Sequence, residues 1–336
     1  MFDKSRCDLC GDCLVRCQYV DYDRERAVRE FTALVQGRDA EILRKCITCM
    51  ACNEYCTKGA NPFDLIAELQ EKQGVSWPEE TSMVLDAGMY IPTEVIPGDR
   101  NKPVLSLGSM EPLLPGVSFE GQLFDGMTIV KGGDYYCYFG YAHVGRQSFI
   151  KENARKFVDS LARLQAKEIV CLHDDCYVML TRKAPEYGIE VPFKPVHIIQ
   201  YLVDYLKEHK GSITRLGRRI AYQRPDASRY TPEKDPLLDE LFELIGVERV
   251  ARKHDRENAL CCGTPIIHRE PERAAKFQKM NVIDARQHGA EAMVFLCPMC
   301  FIVLSDICRE HGLSPIFITD LCRMALGEKS FPAEGG

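Results

Sequence analysis

A chain of 336 residues with a net charge of −6 has room for two or three domains and an ample core. The acidic balance argues against a nucleic-acid partner, and the lack of any run of about 18 apolar residues argues against a membrane-spanning helix. Seventeen cysteines, with the first close behind residues 1–6 and no secretory leader expected, point to a reducing cytoplasm rather than a disulfide framework.

Eight of these cysteines open the chain in two copies of one spacing, C-x2-C-x2-C-x3-C. They are Cys7, Cys10, Cys13 and Cys17, then Cys46, Cys49, Cys52 and Cys56. This run encloses a cubane [4Fe–4S] core, three sulfurs serving one cluster and the fourth reaching the other. The expected sets are therefore Cys7, Cys10 and Cys13 with Cys56, and Cys46, Cys49 and Cys52 with Cys17. Structural zinc, the plainer use of clustered cysteines, takes four ligands as two pairs rather than two quartets. Between the quartets, Val28, Phe31, Leu34 and Val35 recur at helical spacing within residues 23–45. Asn61 and Pro62 are expected to cap and start a further helix with Phe63, Leu65, Ile66 and Leu69 facing inward. Residues 1–73 thus read as a helical two-cluster ferredoxin module. Residues 74–102, with the only tryptophan, Trp77, show no clear period and read as a linker that wraps the next domain.

Beyond residue 102 the chain repeats itself. Cys137 and Cys261, His173 and Cys297, and Cys176 and Cys300 are each 124 positions apart. In each half an amphipathic helix (153–164; 273–287) leads into a β-run and a candidate ligand pair. A further helix closes each half (196–207; 319–326). The apolar run 292–308 is broken by Pro298, Cys300 and Asp306 and reads as a buried strand followed by a helix. Alternating strands and helices predict parallel sheets. Two similar α/β lobes, 103–210 and 211–330, are expected around a pseudo-twofold axis.

The second lobe carries Cys261-Cys262-Gly263 and, after 33 residues, Cys297-Pro298-Met299-Cys300. Adjacent cysteines suit an open multi-iron assembly better than one tetrahedral ion. Gly263 is expected where the backbone approaches the inorganic core, and Pro298 is expected to stiffen the turn. This pattern resembles the CCG family, the cysteine-rich domain of heterodisulfide reductase. With the N-terminal quartets, the whole chain resembles the fused iron–sulfur subunit of that enzyme. It also resembles relatives in sulfite-reductase and benzoyl-CoA-reductase complexes. The resemblance implies two Rossmann-like lobes, each complete one using five cysteines to hold a non-cubane [4Fe–4S] cluster. In the reductase, two such clusters split a disulfide one electron at a time.

The chain departs from that pattern. Asp226 stands 35 positions before Cys261, where the family's leading cysteine is expected. It is either a hard ligand to iron or the cap of the following turn. If it is silent, four cysteines remain for an ordinary cubane. In the first lobe Ser109 replaces the leading cysteine, Cys137-Tyr138 the cysteine pair, and His173 the first member of C-x2-C. Three placements stay open there. Cys137, His173 and Cys176 form a zinc site with Asp174 or Asp175; or the site is vestigial and filled by Tyr135, Tyr136, Tyr138 and Phe139; or His173 faces the second lobe's centre and delivers protons. Cys171, Cys308 and Cys322 read as small core residues. Arg215, Arg218 and Arg219 read as a solvated face or, less plainly, a dock for an acidic partner. There is no Walker-type loop and no G-x-G-x-x-G, so flavin or nucleotide is expected on a partner.

The resulting expectation is an iron–sulfur electron-transfer subunit of an anaerobic oxidoreductase complex. It would hold two cubane clusters and a third cluster on Cys261, Cys262, Cys297 and Cys300. Its partners would be flavoprotein or iron–sulfur subunits, or a membrane cytochrome to which a cytoplasmic chain attaches peripherally. Two other readings stand beside it. One is a disulfide, thiol or quinone reductase working at the late cysteines. The other is a zinc scaffold with only the N-terminal clusters active.

Overall fold

The computed structural model describes residues 1–332. Both quartets lie in an all-helical N-terminal part: α1 (Asp12–Val15), α2 (Arg24–Val35), α3 (Ile42–Lys45), α4 (Ala51–Tyr55) and α5 (Pro62–Lys72). Helix α2 starts where Asp23 accepts from the Arg26 amide at 2.7 Å, a cap worth about 1 kcal/mol. Ala27, Phe31 and Leu34 are buried against Leu14, Leu43, Ile66 and Leu69, whereas Val28 and Val35 are half-buried. Helix α5 does begin at Pro62, but Asn61 gives it no side-chain cap. Asn61 sits at φ +56 and donates to the Met1 carbonyl. The cap comes instead from Asn53, whose Oδ1 accepts from the Phe63 amide at 2.8 Å.

The segment read as a patternless linker holds α6 (Glu79–Ala87) and a strand, β1 (Glu94–Ile96). All three side chains of β1 are exposed, so it carries no hydrophobic signal and is placed by backbone pairing alone. It lies antiparallel to β3 (Thr128–Lys131). The remaining strands of this sheet are parallel: β2 (Val104–Gly108), β4 (Glu168–Cys171) and β5 (Lys194–His197), in the order β1-β3-β2-β4-β5. Around them lie α7 (Gln147–Ala162), α8 (Asp174–Val178), α9 (Ala184–Glu186) and α10 (Ile198–Glu208).

A second, fully parallel sheet follows, in the order β7 (Val247–Arg249), β6 (Arg218–Gln223), β8 (Ala292–Phe295), β9 (Ser314–Phe317). Its helices are α11 (Asp235–Ile245), α12 (Pro271–Gln287), α13 (Pro298–Glu310) and α14 (Ile318–Ala325). The order β3-β2-β4-β5 matches β7-β6-β8-β9, so the 124-residue echo is one strand order used twice. Strands β6 and β8 are adjacent, and their carboxyl ends release the loops that carry Asp226 and Cys297. That is where open parallel sheets place ligands. The equivalent end of β4 releases His173. One apolar core runs through both sheets, joining Leu105, Val170 and Leu202 to Ile220, Leu241 and Phe295.

Buried ions pin the parts together. Asp174, fully buried, meets Lys234 at 2.5 Å, His197 at 3.3 Å and the Ser228 hydroxyl at 3.0 Å. Asp64 of α5 takes Lys183 Nζ at 2.7 Å and the Tyr230 hydroxyl, tying the helical part to both lobes. Burial alone would raise the Asp64 carboxyl, but Lys183 leads the groups that hold it below its ordinary value. A carboxyl depressed in the fold lends stability that is complete above its unfolded value, about 4. That stability is lost as pH falls through the folded value. Asp64→Asn is therefore expected to lower the melting temperature near neutral pH and to flatten its decline in acid. An unchanged acid limb in anaerobic melting curves counts against the assignment.

Candidate metal centres

All seventeen cysteines are unbridged. Two hollows in the helical part gather the eight early ones across the quartets. One is lined by Cys7, Cys10, Cys13 and Cys56. The other is lined by Cys17, Cys46, Cys49 and Cys52, with Cys13 on its wall. The backbone around them repeats as well. Leu9 and Gly11 flank Cys10 at φ +59 and +77, and Thr48 and Met50 flank Cys49 at +60 and +62. Left-handed conformations at Leu, Thr and Met are uncommon and costly. Their recurrence at matched positions forms concave loops of the kind that aim amides at an anionic group. Amides of Thr48 and Ala60 point at Cys46 and Cys56 sulfurs, at 3.3 and 3.4 Å. Burial pushes the Cys46 thiol up to about 12, so a lone thiolate is disfavoured there until cationic iron balances it. The residues fit the clusters expected of them.

The late cysteines converge equally. Cys261 Sγ donates to Asp226 Oδ2 at 2.9 Å and accepts from the Gly263 amide at 3.3 Å. Cys261, Cys262, Cys297 and Cys300 each act on a neighbour's thiol, Cys262 on Cys261 and Cys300, and Cys300 on Cys297, so the four form one interacting group. Among the described residues, no three His, Cys, Asp or Glu side chains close around a single-ion position; sulfurs around a multi-iron core stand farther apart. Asp226 does not cap the turn that follows it, where Pro225 is the N-cap residue and no side-chain bond forms. Burial drives its carboxyl well above the usual range, reinforced by Cys262, while the Cys261 hydrogen bond opposes the rise. Gly263 differs from its expected role. Its φ is +83, and an added Cβ would press on Gln278 and Ala274 of α12 rather than on the sulfur group. Pro298 opens α13 directly after Cys297.

In the first lobe Cys137 and Cys176 are buried in one cluster with Tyr135, Tyr136, Tyr138 and Phe139. Ser109 is buried with its hydroxyl unpartnered. Asp174 is committed to the ion pairs above. His173 is buried at the end of β4; burial opposes its protonation, but Asp175, whose carboxylate lies 3.7 Å from Nδ1, and Cys297 of the other lobe hold its ring well above the ordinary range. Cys171, Cys308 and Cys322 are fully buried. Arg218 and Arg219 pair with Glu291 and Glu248, and Arg215 donates to the Glu243 carbonyl.

Three contacts had no sequence signal. The Tyr19 hydroxyl accepts from the Cys261 amide at 2.8 Å, bridging 242 positions. Tyr19, Ile47, Leu260, Cys261 and Phe277 form one apolar cluster, against which Cys17 and Cys49 pack. His143 Nδ1 lies 3.1 Å from the Thr48 carbonyl, between Cys46 and Cys49. Glu54 of α4 receives Arg224 at 2.9 Å and Arg229. Arg229 also donates to the Ala259 carbonyl at 2.8 Å, two residues before Cys261.

Comparison with known proteins accords with this geometry. The cysteine-rich domain (CCG) family model matches residues 225–305, which span Asp226 and all four late cysteines. The match places a cysteine-rich (CCG) domain over the late cysteines. Over 190 residues it is 26% identical to a subunit of the dihydromethanophenazine:CoB–CoM heterodisulfide reductase of Methanosarcina barkeri. That match covers 55% of this chain and 46% of the relative, so the chain spans less than half the length of that relative. It is 21% identical over 364 residues to a subunit of the fumarate reductase (CoM/CoB) of Methanothermobacter marburgensis, covering 95% and 71%. A crystal structure of a hypothetical protein from Helicobacter pylori shares the fold at a TM-score of 0.56. Its identity is 12%, and the match covers 91% of this chain and 65% of that one.

Proposed function

We propose that this chain is an electron-transfer subunit of a heterodisulfide-reductase-like complex, with two cubane centres in series with one on Cys261, Cys262, Cys297 and Cys300. The observation that carries this reading is the shared apolar cluster. Cys17 and Cys49 of one hollow and Cys261 of the late group pack on the same few side chains, and the Tyr19 hydroxyl accepts from the Cys261 amide. Iron–sulfur clusters supply one-electron transfer at potentials tuned by charge, hydrogen bonds and solvent exposure. The chain's own part is to hold thiolates, exclude water and orient amides. Asp226 serves as the fifth donor to the late centre, in place of a cysteine. The exposed Cys10 marks the hollow open to a donor, a flavoprotein or iron–sulfur subunit, with a membrane cytochrome as a further partner class. Among the described residues no helix is long and apolar enough to cross a membrane.

The test is metal and sulfide analysis of anaerobically purified protein. About twelve irons per chain support three four-iron centres; about eight or fewer overturn the reading, and stoichiometric zinc in their place favours a scaffold. Thiols added to the oxidised protein should leave its paramagnetic spectrum unchanged. A thiol-induced signal would move the assignment to a disulfide reductase acting at the late centre.

A further inference from the structure

His173 lies where β4 ends, as the N-cap residue of α8, yet its side chain makes no cap bond. The residue is 5% exposed, and Cys297 of the other lobe is among the groups whose charge acts on its ring. Nδ1 faces the Asp175 carboxylate at 3.7 Å. Nε2 is buried and has no hydrogen-bond partner. A polar atom left bare inside a protein is costly, and the neighbouring groups do not relieve it. Asp174, next in sequence, is taken by Lys234 and His197.

A carboxylate beside one ring nitrogen and a bare second nitrogen is the arrangement used by metal-ligating histidines. In such sites the carboxylate favours the proton on the nitrogen it faces and leaves the other lone pair free; Asp175, at 3.7 Å from Nδ1, does so by its charge rather than by a hydrogen bond. Cys297 supplies the direction, because it belongs to the sulfur group assigned above to iron. We infer that His173 is an iron ligand of the late centre, delivered through Nε2 across the lobe interface from the lobe that has lost its own cysteines. This rests on the three-centre reading. It adds that the ion facing the first lobe is closed by a protein nitrogen rather than left open to a disulfide. Imidazole is an accepted iron donor, and exchanging cysteine for histidine on iron raises cluster potentials.

The full-length protein, purified anaerobically with 14N- or 15N-histidine, can be read by pulsed electron-nuclear resonance. A strong nitrogen coupling that changes with the isotope is expected. It should vanish in His173→Gln and in His173→Cys, while the late centre remains assembled in the second variant. The midpoint potential of that centre should shift negative in His173→Cys, where thiolate replaces imidazole. Protein with about twelve irons per chain but only weak coupling overturns the ligand assignment and leaves the three-centre reading standing. Coupling that survives both substitutions does the same, as does a potential unmoved in His173→Cys. Wild-type protein with about eight irons per chain overturns both.

Discussion

Glu54→Ala is expected to destabilise the protein by about 3–5 kcal/mol, the cost of leaving buried charge without its partner. Glu54 sits on α4 between Cys52 and Cys56. Arg224 and Arg229, 2% and 5% exposed, both point at it. Burial alone would raise this carboxyl, but Arg229 and then Arg224 hold it below the ordinary range. Its removal leaves Arg229 without a carboxylate partner and Arg224 with Asp235 alone, at 3.3 Å. The same change slackens the junction beside the late cysteines, because Arg229 also fixes the Ala259 carbonyl. Glu54→Gln keeps an acceptor and should cost less. The loss should be read as a lower denaturant midpoint under anaerobic conditions, with faster proteolysis between the helical part and the lobes. A change below about 1 kcal/mol, the scale of exposed ion pairs, would show that the clamp does not hold the junction.

None of the three partners in that clamp announces itself in the sequence, and the reason is general to this molecule. Cluster-binding cysteines are legible because their chemistry is local: i, i+3 and i+6 around one core. The lobe repeat is legible because ligand residues carry it, and the matched strand orders express the same echo in backbone. What stays hidden depends on contacts between distant segments. Strand β1 pairs through its backbone and buries no side chain. Asn53 caps α5 from ten residues away, where local rules favour Asn61. Tyr19 meets Cys261 only because the helical part docks on the second lobe. His173 is the sharpest instance. Spacing groups it with Cys137 and Cys176, but in the fold Cys297, its own counterpart 124 positions on, is among the groups that act on its ring. Such self-equivalent contacts arise where two like units face each other. Ligand spacing within one lobe does not encode them.

Cys17→Ala is expected to remove about four irons, those of the centre on Cys46, Cys49 and Cys52 rather than of its own quartet. Cys56→Ala should remove the centre on Cys7, Cys10 and Cys13. Sequence proximity favours the opposite assignment, but α1 and α4 carry the chain away from Cys13 and Cys52 before Cys17 and Cys56 are reached. Each fourth cysteine thereby lines the other hollow. The two variants can be told apart because the hollows differ in access. Exposed Asp8, Cys10 and Lys58 rim one, whereas buried Leu14, Ile42 and Phe63 line the other. An anionic oxidant should therefore bleach the centre left in Cys17→Ala quickly and the one left in Cys56→Ala slowly. Cys17→Ala should also slow reduction of the late centre, since it removes the station packed against Cys261; Cys56→Ala leaves that station in place. If the fast-bleaching centre is the one lost in Cys17→Ala, each quartet closes on itself. The series order from the exposed hollow to the late cysteines is then wrong.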